Sequence, residues 1–292
     1  QSLSDYLLFL REQYHVEADY FSFNESDIGI DVLFSPTEHD LFIKEFGAFM
    51  KQRGLRTKML LGDNSDANTF NFVLPALHDQ DALPYIGALS FHSWRGCTDH
   101  NLLQWAAAAK QISRPLLVAE GSTDAQAYRY PEILNEPTFA FNEINLYIRM
   151  CALCQPLSIL QWQLTSDYSL LSGGGLNGLS GNLHPTQRFF NLKQLSATPI
   201  NVDAISFKCN QPQLQCAVFL NEKNTACAIH IVNNGASRQT FITGLPPSIR
   251  QLTMYVTSSQ YSMKNCGSVS VKQGKTHISL PPYSFITLLN YR

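Results

Sequence analysis

The sequence has no run of the ~18 to 20 apolar residues that a bilayer-spanning helix requires, so no membrane span is expected. Charge is scarce and balanced. With 21 basic against 23 acidic side chains, a net charge of −2 and no basic clusters, the chain lacks the electrostatic footprint of a nucleic-acid binder. Paired zinc-type cysteine spacing is missing too: of seven cysteines, the only C-x-x-C is Cys151 and Cys154, inside a helical pattern, where both read as core thiols. Four cysteines, at 209, 216, 227 and 266, fall in the last third, where one disulfide could form in an oxidising compartment; the sequence leaves its connectivity open. No G-x-G-x-x-G or P-loop lies at a strand-to-helix turn, which argues against a nucleotide-binding doubly wound sheet. There is no low-complexity segment and no fixed-period repeat. The chain opens on Gln1 without an initiator methionine or signal peptide and reads as a processed or truncated product.

What is present is a hydrophobic fraction of 45% over 292 residues, enough to exclude disorder and to suit one large barrel or a domain with a smaller companion. Residues 2–14 have helical apolar spacing and lead into the extended run VEADYFSF. A second helix is punctuated by Ser35 as N-cap, Pro36 at the first helical position, Glu38 completing a capping box and Gly54 at the end. Then follow the strand RTKMLLGD, a helix over 67–82, the strand YIGALSFHSW, a helix over 99–113, the strand PLLVAEG, a helix over 131–155, the strand SILQWQL and the helix PTQRFFNLKQL. Five apolar strands alternating with helices specify parallel pairing, because each return needs a crossover. The fold class is α/β of the barrel type. From about residue 199 short alternating runs separated by Asn, Gly and Pro turns give a β-sandwich signature. The boundary falls in SATPIN, giving residues 1–198 to the barrel portion and 199–292 to an all-β sandwich. A Gly-rich loop, 172–182, is placed to border the site.

Polar and aromatic residues crowd the C-terminal ends of the strands: Asn24 and Glu25, Asp63 and Asn64, His92 to Trp94, Glu120, and Trp162 with Gln163. In a parallel barrel that edge is the catalytic face. A carboxylate ending an apolar strand is unfavourable unless a site employs or pairs it, so Glu25 and Glu120 are the candidates. Two carboxyl groups across a sugar can divide glycoside cleavage between nucleophile and acid/base. Asn24 can hydrogen-bond a sugar hydroxyl, while Trp94, Trp162 and Tyr168 offer flat ring faces. Asp63, His92 and Asp167 complete the substrate-binding candidates. Competing structural roles are helix capping for Asp63, Asn64 and Asp66, a satisfied core position for His92, barrel packing for Trp162, and loop structuring for Asp167 and Tyr168. Glu136, Glu143 and Asn145 read as structural.

Asn24-Glu25 after one strand and Glu120 after the third strand downstream resemble clan A retaining glycoside hydrolases. The resemblance implies a (β/α)8 TIM barrel in which YFSFNE is strand four, RTKMLLGD five, ALSFHSW six, LLVAEG seven and ILQWQL eight. It assigns Glu25 as acid/base, Glu120 as nucleophile and Trp162 as the strand-eight aromatic. With the sandwich, the chain is most similar to family 30 of that clan, the glucocerebrosidase, xylanase and galactanase type. Two departures stand out. Ser26 replaces the usual proline of Asn-Glu-Pro, and strand six ends in His-Ser-Trp where a tyrosine often partners the nucleophile, which makes His92 and Trp94 the residues placed to substitute. Strands one to three are not in the sequence, and are expected upstream in a longer precursor, on another chain, or to have been lost altogether. The implied function is a retaining hydrolase of a β-linked oligosaccharide or polysaccharide, without metal or organic cofactor. The alternative is a non-catalytic carbohydrate-binding or scaffold protein on an incomplete barrel. A metal-dependent hydrolase ranks below both, because the strand ends read as lacking a His and Asp cluster.

Overall fold

The computed structural model describes residues 2–124 and 126–290, which leaves Gln1 outside the described residues. By packing, the chain forms two compact units: residues 1–123 with 153–161, and residues 124–152 with 162–292.

The first unit is built on five parallel strands, β1 (Tyr20–Phe21), β2 (Lys58–Asn64), β3 (Ile86–His92), β4 (Leu116–Gly121) and β5 (Ser158–Gln161). They lie side by side in chain order. A doubly wound sheet reverses its strand order at a switch point, whereas this unidirectional order is that of a β/α barrel, of which five strands are present. Among the described residues β1 pairs only with β2 and β5 only with β4. Apolar side chains such as Leu61, Leu89, Phe91 and Val118 are fully buried along the central strands. Register shifts occur between Gly62 and Asn64, Phe91 and His92, and Val118 and Gly121, all at strand C-termini. Such bulges re-aim the side chains that follow.

Helix α1 (Ser2–Tyr14) precedes β1, and α2 (Pro36–Gln52) follows it. The expected capping box is formed: Ser35 Oγ accepts from the Glu38 N–H at 3.3 Å, and the Ser35 N–H donates to Glu38 Oε2 at 2.7 Å. Two helices are shorter than their apolar patterns suggest. Over 67–82 there is a 3-10 turn (Phe70–Val73) and the short α3 (Leu74–His78), each break lying near a proline: Pro75 in the first turn of α3 and Pro84 in the next 3-10 turn, Leu83–Tyr85. Proline lacks the N–H that would continue the ladder. Helix α4 (Asp99–Gln111) matches expectation, capped by the Thr98 side chain.

In the second unit, the pattern over 131–155 becomes a 3-10 turn (Pro131–Asn135) and α5 (Pro137–Leu153). Glu136, ahead of Pro137, is forced to extended backbone, φ −72° and ψ 125°. The Gly-rich loop lies between the paired strands β6 (Leu171–Ser172) and β7 (His184–Pro185), and α6 (Gln187–Leu195) follows. Then come β8 (Asp203–Ala204), β9 (Leu214–Leu220), β10 (Cys227–Asn233), β11 (Arg238–Thr243), β12 (Gln251–Thr257), β13 (Lys264–Ser270), β14 (Lys275–Leu280) and β15 (Ser284–Asn290). Six form a sheet in the order β13-β12-β15-β10-β9-β8, and β11 pairs with β14. Ile278 and Leu280 of β14 share one apolar core with Ile229, Leu252, Ile286 and Leu288 of the larger sheet. Of the run AISFK only Ala204 enters a strand. Gln194 of α6 is buried, donates to Phe285 O and Thr287 Oγ1 and accepts from Thr257 Oγ1, tying α6 to β15 and β12.

Candidate active site

The first unit gathers its polar strand ends around His92. The ring is fully buried at the end of β3, where the alternation Ala88, Ser90, His92 puts Ser90 on the same face. Its Nε2–H donates to Asp63 Oδ1 at 3.1 Å. On the other side Nδ1–H is shared between Glu25 Oε1 at 3.1 Å and Glu120 Oε2 at 3.2 Å. Burial opposes a charge on this ring, but hydrogen bonds to Asp63, Glu120 and Glu25 and the charge of Glu120 outweigh it, pushing the pKa up to about 11. His92 is an imidazolium at any physiological pH.

Asp63 also accepts from Ser22 Oγ and Ser90 Oγ. Its side chain, 9% exposed, holds the ring. Asp63 and Glu25 both have positive φ, 61° and 47°, a conformation unusual for residues with a Cβ. The two are coupled by the Glu25 N–H donating to Asp63 O at 3.1 Å. Strained backbone of this kind is retained where the surroundings over-determine it.

Glu120 is fixed from two directions. Its backbone carbonyl accepts from the Ser93 N–H at 3.0 Å, while Ser93 Oγ donates to Ser122 O and accepts from the Ser122 N–H, joining the ends of β3 and β4. Its Oε2 accepts from Trp94 Nε1–H at 3.0 Å. His92 and Trp94, the two residues placed to substitute for a tyrosine, therefore both contact this carboxylate. One oxygen of Glu25 and one of Glu120 lie within 4.8 Å of each other. The side chains keep 14% and 11% exposure, and their contacts engage Oε1 of Glu25 and Oε2 of Glu120.

Asn24 is half-buried in the same turn as Glu25. Capping is not the role of its polar neighbours after β2: Asp66 pairs with Arg95, and the Asn64 amide donates to Thr69 O and Oγ1. Trp162, Asp167 and Tyr168 belong to the second unit. Trp162 is 37% exposed and Asp167 is exposed, whereas Tyr168 is 6% exposed and offers no open ring face. The loop that buries it is held by Arg188, whose Nη1–H groups donate to Tyr168 O and Ser169 O, both at 2.8 Å. The residues that sequence reasoning missed are Ser22, Ser90 and Ser122; Ser93 entered only as part of the strand-end run His92 to Trp94. Only Ser90 left a signal, its two-residue offset from His92 on an otherwise apolar strand.

The expectation that the strand ends lack a His and Asp cluster is corrected: Glu25, His92 and Glu120 bring three donor groups within 4.8 Å of one another, with Asp63 behind the ring. The ring nitrogen facing the glutamates carries a proton, so it offers an N–H rather than a lone pair; a metal ion would have to displace that proton.

No protein-family model matches the sequence, and no curated protein does. Solved structures do. An endoxylanase of glycoside hydrolase family 30 from Clostridium papyrosolvens C71 matches with a TM-score of 0.81 at 18% identity, over 100% of this chain and 70% of that one. A family 30 subfamily 8 xylanase from Clostridium acetobutylicum gives 0.80 at 14% identity, over 100% and 71%. The catalytic domain of a family 30 xylanase from Talaromyces cellulolyticus gives 0.74 at 16% identity, over 100% and 67%. The five-stranded half-barrel followed by an all-β region is thus similar in fold to the clan A, family 30 glycoside hydrolases, which pair a TIM barrel with a β-sandwich.

Proposed function

We propose that the protein is a retaining glycoside hydrolase that cleaves a β-linked glycan by double displacement, with Glu120 as nucleophile and Glu25 as acid/base. The observation that carries this reading is the approach of the two carboxylates, within 4.8 Å at their facing oxygens, across one fixed imidazolium. Retaining enzymes hold their carboxyl groups about 5 to 5.5 Å apart, whereas inverting enzymes need about 6.5 to 9.5 Å to admit a water. In the first step an oxygen of Glu120 bonds to the anomeric carbon as the glycosidic C–O bond breaks, and Glu25 protonates the departing oxygen. In the second, Glu25 takes a proton from water, whose oxygen displaces Glu120. His92, held by Asp63, keeps a positive charge beside both carboxylates throughout. Asn24 and Trp94 are proposed to bind the sugar. The charges needed are all supplied by side chains, so the reading requires no metal. It includes a polypeptide partner: further β/α segments, in the same precursor or another chain, that pair with β1 and β5.

Glu120→Gln is expected to lower turnover by roughly 10⁴-fold or more. Glu25→Ala should retain most activity on aryl glycosides with good leaving groups while losing it on natural linkages. Equal loss on both substrates would remove Glu25 from the acid/base role, and loss of wild-type activity with a chelator would favour a metal-dependent hydrolase. The shared imidazolium, which occupies an oxygen of each glutamate, favours one second reading, a carbohydrate-binding or scaffold protein. Binding of oligosaccharides without reducing-sugar release, after the barrel edges are completed, would select it.

A further inference from the structure

The second unit carries a cleft that the chemistry above does not use. Its volume is about 300 Å³, at the small end of ligand sites, and it opens among the starts of α5 and α6, the residues that follow β10 and β12, and the turn before β15. Thr138 and Phe141 lie three residues apart on one face of α5, which sets a hydroxyl beside a ring. Gln187, Asn234 and Ser259 add two amides and a second hydroxyl. Each of these polar groups both donates and accepts hydrogen bonds, and among the described residues no charged side chain lines the cleft.

The turn before β15 brings Tyr283 to the same place, 63% exposed. Phe141 braces its ring at 6.3 Å between centres and an interplanar angle of 68°, an edge contact rather than a stack. The backbone beneath is fixed. Pro281 and Pro282 restrict the approach, Asn233 Nδ2–H and Ser284 Oγ–H both donate to Pro281 O at 2.7 Å, and the Tyr283 N–H donates to Gly235 O at 3.1 Å. Tyr283 itself is held at φ 43°, in the left-handed region. The Asn234 and Asn145 amides donate to each other at 3.0 and 2.9 Å, and Asn145 Nδ2–H also donates to Phe141 O at 3.0 Å, tying the residues after β10 to α5. An exposed ring on so constrained a turn is ordered before any ligand arrives.

We propose that this cleft is a second glycan-binding site, in which Tyr283 stacks on the face of one pyranose ring while Thr138, Gln187, Asn234 and Ser259 hydrogen-bond its hydroxyls. A pyranose has an apolar C–H face and a neutral rim of hydroxyls that donate and accept. The cleft matches both parts, one flat ring for the face and four uncharged groups of either hydrogen-bonding sense for the rim. An ionic ligand would meet no counter-charge on its walls. The inference rests on the proposed function for the class of glycan, a β-linked chain, and on the cleft alone for the site.

Amide hydrogen exchange of the full chain, with and without xylohexaose, cellohexaose or laminarihexaose, tests the site. At least one of the three should slow exchange over 138–141 and 283–285. Tyr283→Ala, at an exposed position, should erase that protection and weaken the affinity about tenfold, while exchange elsewhere in the chain stays as it was. Tyr283→Phe, which keeps the ring, should restore it, and Gln187→Ala should weaken it without erasing it. Protection by none of the three glycans, or protection that survives Tyr283→Ala, would overturn the proposal. Protection confined to residues 24–25, 92–94 and 120 would overturn it while supporting the candidate active site. Protection at the cleft without release of reducing sugar would uphold it while counting against the hydrolase.

Discussion

In the first unit three carboxyl groups, those of Asp63, Glu25 and Glu120, surround the one imidazolium of His92. In the second, Glu143 turns both carboxylate oxygens to Arg188, with Arg188 Nε–H donating to Glu143 Oε2 at 3.0 Å and Nη2–H to Oε1 at 2.8 Å. The guanidinium's two Nη1–H groups donate to the carbonyls of residues 168 and 169, and its flat side lies 5.0 Å from the Phe139 ring centre. Side-chain exposures of 0% and 4% complete a closed pair. Groups of the same kinds serve opposite ends. A buried ion that holds the fold is met by one matching counter-ion, while the cluster proposed for chemistry gathers three carboxyl groups on one cation.

The strongest test of this contrast makes the same substitution in both places. Glu143→Gln leaves Arg188 as an uncompensated buried cation and is expected to cost about 3 to 5 kcal/mol of stability in urea denaturation. Glu120→Gln takes one negative charge from a cluster that has more of them than its cation can neutralise, and leaves His92 its bonds to Asp63 and Glu25. Its cost should be under about 1 kcal/mol, or a gain, as substitutions that relieve a functional site often give. Equal costs would mean that the His92 cluster is as structural as the Arg188 pair.

Titration sharpens the comparison next, because His92 and His230 are both fully buried yet move apart. Burial lowers both, but His230 meets only the hydroxyls of Thr198 and Thr287, at 2.8 and 2.9 Å, and falls to about 3. His39, whose Nε2 accepts from the Gly62 N–H, falls by burial to about 4. For His230 and His39 the unfolded chain binds the proton that the folded chain refuses. Their contribution is therefore complete above the ordinary value of 6.5 and is lost as pH falls toward 3 and 4, at about 1.4 kcal/mol per pH unit per proton. For His92 the folded chain binds the extra proton, so stability is complete below 6.5 and is lost as pH rises to about 11. Urea midpoints across pH should show both limbs, and His230→Gln should flatten only the acid one. Imidazole NMR should show His92 protonated at pH 9 and His230 neutral at pH 5; the reverse assignment would undo the electrostatic account of the site.

Local signals in the sequence were enough for the α2 capping box, the alternation that orders β1 to β5, and the strand-end positions of Glu25, Trp94 and Glu120. The same local reading failed where distant residues decide. The helix patterns at 67–82 and 131–155 ignored the prolines that interrupt them. Tyr168 reads as a sugar platform or a loop residue from its neighbours in the chain, and its backbone carbonyl is held by Arg188, which pairs with Glu143 45 residues away. Asp63 reads as a cap or a sugar ligand from its neighbours in the chain. Its role as the anchor of His92 arises from parallel register and from bulges at the ends of β2 and β3, which no spacing along one strand encodes.

The smallest expected effect bears on the proposed chemistry itself. Trp94 Nε1–H donates to the same Glu120 oxygen that receives His92 Nδ1–H. Trp94→Phe keeps an aromatic ring but deletes one donor to a charged acceptor, a change of about 1.5 kcal/mol or roughly tenfold in rate. Its direction differs between the two steps. Glu120 gives up its charge as the glycosyl-enzyme forms and regains it as that ester is hydrolysed, so a donor on Glu120 favours its departure more than its attack. With an aryl glycoside of good leaving group, the variant should therefore form the intermediate at an undiminished rate and hydrolyse it about tenfold more slowly, giving a burst of released phenol before a slower steady state. A rise in KM with both steps unchanged would instead make Trp94 a sugar-stacking surface whose indole N–H has no part in the displacement.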